Sequence, residues 1–137
     1  MIFLDTNILV YSVDPRDAVK QRIARSIVFE AVDSETFLIS AQVLNEFANV
    51  AVRKLNLPRV QIVSMVEKFS AIHTVPVLPG WTAQAMEIMG RYGIQFFDAL
   101  LLAAAEAHGC DTIYTEDLAD GHTYCGVRAE NPFKAAT

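Results

Sequence analysis

Four acids stand where apolar runs begin or end, or on a helix that follows one: Asp5 after "IFL", Glu46 within "AQVLNEFANV", Asp98 before "ALLLAAA" and Asp117 after "DTIYT". A carboxylate beside a buried run is costly unless something compensates its charge. Carboxylates that share a site raise one another's pKa unless a cation neutralises them. No lysine or arginine adjoins Asp5, Asp98 or Asp117 in sequence. An all-oxygen acidic site suits Mg²⁺ or Mn²⁺, whereas zinc prefers histidine and cysteine. Mg²⁺ keeps several waters and binds through few carboxylates, which leaves room for a phosphate oxygen. The chemistry open to such a set is phosphoester hydrolysis, with a metal-activated water attacking phosphorus while the metal offsets charge on the leaving oxygen.

Those acids can cooperate only if the fold brings them together. Residues 2–4 read as a first buried strand and "TFLIS" (36–40) as a second. "TVPVL" is a further strand, weakened by Pro76, and "DTIYT" (111–115) another; "GVRAE" reads as a last short one. Between them lie helical patterns over 16–33, 41–55 with Ser40 as N-cap, Pro58 to about His73, roughly 81–91, and the "DALLLAAAEAHG" segment, apolar on nearly every side and closed by Gly109. Strands alternating with helices imply an α/β fold: a three-layer α/β/α sandwich around a central, mostly parallel sheet, in a single domain over 1–137. Ligand sites in such sheets lie beyond the carboxyl ends of the strands. Asp5 and Asp117 follow strand ends, Asp98 opens the buried helix, and Glu46 lies within about 8 Å of the start of its helix at the usual rise per residue. All four are expected on one rim.

Each acid also has a plainer use. Asp98 suits an N-cap. Glu46 lies opposite the apolar stripe Leu44, Phe47, Ala48, Ala51 and Leu55, beside Gln42, Asn49 and Arg53, where solvent exposure is the simplest reading. Asp117 sits in a turn-like "TEDLADG" with Glu116 and Asp120 as competitors. Asp5 is the hardest to explain without a partner.

Bulk properties narrow the classes. The 137 residues suffice for a core without staples. A hydrophobic fraction of 53% excludes disorder, and a mean hydropathy of +0.28 leaves apolar surface for a partner to cover. Net charge is −5, against the basic footprint usual for nucleic-acid binders. Bound divalent ions would answer that objection. The basic residues gather as Arg16, Lys20, Arg22 and Arg25 and as Arg53, Lys54 and Arg59, read as solvated helix faces. Two cysteines without metal-type spacing imply reduced thiols and a cytoplasmic location. No charged leader precedes the first strand and the longest apolar run is too short for a bilayer, so neither a signal peptide nor a membrane is expected. No nucleophile elbow, dinucleotide loop or Walker loop occurs.

Taken in order, "FLDTNILVY", the glutamate of the helix after the second strand, "FFDALLLAAAEA" and "YTEDLADG" resemble PIN-domain proteins, and among them the VapC-type toxins; the resemblance runs to the closing "ENPF". It implies Mg²⁺- or Mn²⁺-dependent endoribonuclease activity, the toxin role in a type II toxin–antitoxin pair, homodimerisation and inhibition by a cognate antitoxin. By the same resemblance, Asp5 and Asp98 match the principal metal ligands, Glu46 the helical acid and Asp117 the acid of a Thr-x-Asp pattern. Thr115, Thr6 and Asn7 match orienting groups. Glu116 adjoins Asp117, and strand direction decides between them, with the expectation on Asp117. Two other readings stay open. "LDTN" faintly resembles the nucleophile loop of haloacid-dehalogenase-like phosphatases, with Asp5 as nucleophile, although Asn7 stands where that loop has its second acid. A non-catalytic protein whose acids merely hold a cation is the other.

Overall fold

The short apolar runs become strands buried between helices in the computed structural model, which describes residues 1–134. The last three residues of the single-domain span lie outside the described residues. The strands are β1 (Ile2–Leu4), β2 (Phe37–Ser40), β3 (His73–Val75), β4 (Thr112–Tyr114), β5 (Thr123–Tyr124) and β6 (Val127–Glu130). The helices are α1 (Thr6–Val13), α2 (Ala18–Val32), α3 (Ala41–Arg53), α4 (Arg59–Phe69), α5 (Gly80–Tyr92) and α6 (Phe96–Ala107).

One sheet forms in the order β3-β2-β1-β4-β6-β5. Every neighbouring pair is parallel except β5 and β6. β1 has a partner on each side, with Phe3 opposite Leu38 and Ile113, so its backbone groups are satisfied and its residues can be wholly apolar. Two helical groups complete the layers: α1 packs on α2 and α3 and α4 on α2 and α3, while α5 pairs with α6, which lies on β2, β4 and β6. Burial of every residue from Ala99 to Ala105 explains why α6 is apolar around its circumference. The α/β sandwich expected from the alternation is thus present. Among the described residues no helix is long and apolar enough to cross a membrane.

Several local expectations differ from the structure. No element was expected over 6–13, yet α1 follows Asp5 directly, with Asp5 in an extended conformation accepting from Thr6 N as its N-cap. Asp98 is not a cap: Gln95 holds that position and Asp98 lies in the first turn of α6. Ser40 does precede α3, but its hydroxyl makes no capping bond and is buried without a partner among the described residues. α4 stops at Phe69, short of His73: Ser70 donates back to Val66 O through both its N–H, at 2.9 Å, and its Oγ, at 2.7 Å, and the chain then turns into β3. That strand ends before Pro76, whose missing N–H the ladder could not use. The edge strand β5 carried too little sequence signal to be expected.

Candidate active site

Where β1 ends, the chain turns into α1, and Asp5 sits at that junction, its backbone N donating to Tyr114 O of β4 at 3.0 Å. Only 4% of the residue is exposed. Its Oδ1 accepts from Thr6 N at 2.6 Å, and its Oδ2 accepts from Thr115 Oγ1 at 2.6 Å and Asn7 Nδ2 at 3.3 Å. Thr115 follows β4 and is itself buried, so a hydroxyl from the neighbouring strand end fixes the carboxylate. The same hydroxyl accepts from Asp117 N at 3.0 Å, and Asn7 Nδ2 reaches Asp117 Oδ2 at 3.2 Å. Two short polar side chains therefore tie both strand-end acids to one another.

Asp98 arrives from the first turn of α6, where unpaired N–H groups favour negative charge. One carboxylate oxygen from each of Asp5, Asp98 and Asp117 lies within 4.8 Å of the others. Glu46 borders the same cavity, about 340 Å³ in volume. Its Oε2 accepts from Thr6 Oγ1 at 3.1 Å and its Oε1 from Gln42 Nε2 at 2.5 Å. Glu46 is therefore half-buried and bonded into the site, not the solvated residue that its helical face alone suggests. The structure thus assembles all four acids, with Thr6, Asn7 and Thr115 among them.

Adjacent acids part ways after β4. Glu116 Oε1 accepts from Tyr11 OH at 2.5 Å, and its Oε2 pairs with Lys20 Nζ at 3.1 Å. Lys20 also donates to Tyr11 OH at 3.3 Å and stands 4.7 Å from the centre of the Tyr11 ring. Asp117, exposed, joins the cluster instead. Lys20 is thus not on a solvated face. No sequence signal links it to Glu116, whereas Gln42 was legible as the residue one helical turn before Glu46.

The electrostatics follow from this geometry. Burial, and then the Asp117 charge, push the Asp5 carboxyl up to about 7 against the pull of its Thr115 hydrogen bond. Burial, followed by the charges of Asp117 and Glu46, raises Asp98 to about 6. Among the described residues no salt bridge reaches Asp5, Asp98, Asp117 or Glu46. The donor set is three carboxylates, with the buried Asn7 Oδ1, which has no hydrogen-bond partner among the described residues, as a further acceptor on a residue that bonds two of them. Such a set fits a hard divalent cation.

Fold and acids together define an α/β domain that gathers carboxylates at the carboxyl edge of its sheet. The chain belongs to the PIN domain family, which it matches over residues 2–119. Its fold is similar to that of Mycobacterium tuberculosis VapC20, a sarcin–ricin loop cleaving toxin, at 20% identity and a TM-score of 0.69 over 85% of this chain and 90% of that one. A toxin–antitoxin complex from Klebsiella pneumoniae matches at 20% identity and 0.69, covering 96% and 98% of the two chains. VapBC2 from Rickettsia felis, bound to a promoter DNA fragment, matches at 23% and 0.66 over 96% and 98%. No curated protein matches the sequence significantly.

Proposed function

We propose that this PIN domain is a Mg²⁺- or Mn²⁺-dependent endoribonuclease of the VapC type, the toxin of a type II toxin–antitoxin pair. The observation that carries the reading is the meeting of three carboxylates within 4.8 Å with no salt bridge to any of them among the described residues. Asp5 and Asp98 would hold the ion; Asp117 and Glu46 complete the acidic wall and orient water. When bound, the ion supplies Lewis acidity toward the water nucleophile and the scissile phosphate. Thr115, Asn7 and Thr6 hold the Asp5, Asp117 and Glu46 carboxylates respectively. Lys54, on the rim of the same cavity, is placed to take a phosphate of the RNA. An antitoxin partner and a homodimer are part of the proposal, supported by the similarity of fold to chains in toxin–antitoxin complexes.

The test incubates purified, partner-free protein with total cellular RNA, with Mg²⁺ or Mn²⁺ or with chelator, and maps new ends. Cleavage that requires the ion and vanishes in Asp98→Asn supports the reading. Ion binding without any cleavage would make the acids a holding site only.

A further inference from the structure

Beside the acids opens a second cavity of about 780 Å³ that shares Glu46, Asp98 and Asp117 with them but is otherwise uncharged. Its wall carries the amides of Asn45, Asn49 and Gln95 and the ring of Phe97. Phe97 is 62% exposed, although it directly precedes a proposed metal ligand on a helix whose next seven residues after that ligand are all buried. Gln42 Nε2 donates to Phe97 O at 3.1 Å, and the Phe96 ring meets the Phe97 ring edge-on at 5.3 Å, so the exposed ring is held. The side chains of Asn45, Asn49 and Gln95 make no hydrogen bond among the described residues, leaving donors and acceptors for a ligand.

No lysine or arginine lines this cavity, and the chain carries a net charge of −5. A polyanion cannot be held here through its phosphates. A nucleobase can: every base has a face that stacks on an aromatic ring, and its edge matches amide donors and acceptors. Resting on the nuclease reading above, we propose that Phe97, with Asn45, Asn49 and Gln95, forms a nucleobase subsite for single-stranded RNA. An unpaired base lies on the Phe97 ring while the adjoining phosphate reaches the acids. Duplex RNA, whose bases are stacked and paired, is excluded.

The test uses the full chain carrying Asp5→Asn, so that cleavage does not intervene, with Mg²⁺ present. In this background Phe97→Trp gives an exposed fluorophore, while Trp81 is 5% exposed and stays constant. A short single-stranded RNA is expected to quench it, and an abasic strand of equal length is not. Phe97→Ala should weaken binding of the same RNA about 5- to 150-fold, the range for one stacked base. Equal quenching by the abasic strand, or unchanged affinity in Phe97→Ala, overturns the subsite. So does sedimentation showing that Phe97→Ala dissociates a dimer formed by the parent, since the ring would then belong to a second copy. Separate cleavage assays on chains with Asp5 intact distinguish the two readings. Base-dependent quenching with no cleavage by the parent retains the subsite and removes the nuclease; cleavage with unchanged kcat/KM in Phe97→Ala does the reverse.

Discussion

Glu116 and Asp117 are neighbours in sequence, yet the structure treats them as opposites. Glu116 is answered from within: Lys20 supplies a charge, Tyr11 a hydroxyl, and the Phe133 ring lies 5.8 Å from the ammonium. Asp117 faces Asp5 and Asp98, bridged to Asp5 by the Asn7 amide and the Thr115 hydroxyl, with no salt bridge to any of the three among the described residues. One cluster is electrostatically complete; the other is left short of positive charge. A carboxylate that finds a lysine has become structure, while three that meet without one are the set the proposed function assigns to an ion. The turn after β4 thus sorts two acids by the direction in which each side chain leaves it.

The contrast is best broken at the incomplete cluster. Asp5→Asn should lower cleavage by more than the roughly 10- to 100-fold typical of groups that only orient ligands, measured as kcat/KM on a fixed RNA with saturating Mg²⁺. Thr115→Val, which removes the 2.6 Å bond to Asp5 and keeps the shape, should fall within that roughly 10- to 100-fold band.

The same cluster should govern stability against pH. Asp5 ionises near 7 in the folded protein, well above an unfolded aspartate at about 3.9. The native state therefore holds the proton more tightly, so the stabilisation from this group is complete below about pH 4 and is lost as pH rises towards 7. Without metal, Asp5→Asn is expected to melt several degrees above the parent at pH 8, with the gap shrinking towards pH 4. Saturating Mg²⁺ should raise the parent's Tm more at pH 8 than at pH 5. A gap that is the same at both pH values would mean that Asp5 is not strained by burial.

The completed cluster should respond in the opposite sense. Lys20→Met is expected to cost about 1 kcal/mol, or about 3 °C in Tm, while cleavage changes less than about tenfold. Glu116→Gln should do the same more weakly. Loss of cleavage in Glu116→Gln as deep as in Asp117→Asn would erase the distinction between the two acids.

How much of this was legible beforehand depended on how local the signal is. The buried strands and the all-round apolar α6 follow from short-range pattern, and with the parallel topology they were enough to place Asp5, Asp98 and Asp117 on one rim. α1 was hidden because Ile8, Leu9 and Val10 form an apolar run too short to show a period, and because its cap is the very aspartate that reads as a strand end. Glu46 looked solvated because its helical face records only neighbours on α3; its partner Thr6 comes from α1, packed across it. The Lys20–Glu116 pair joins α2 to the segment after β4, a meeting that only the assembled fold brings about. Phe97, just ahead of the "DALLLAAAEAHG" helix, drew no reading from the sequence, and only its exposure in the fold sets it apart.

The order of the strands has a consequence for assembly. β1 precedes every other strand of the sheet in sequence but lies in its middle, and Asp5 is anchored to Tyr114 O and to the Thr115 hydroxyl, the latter 110 residues further along the chain. A chain cut short before β4 has neither the hydroxyl that fixes Asp5 nor Asp117. The acidic cluster therefore closes only once strands from both halves of the sequence have met in the sheet.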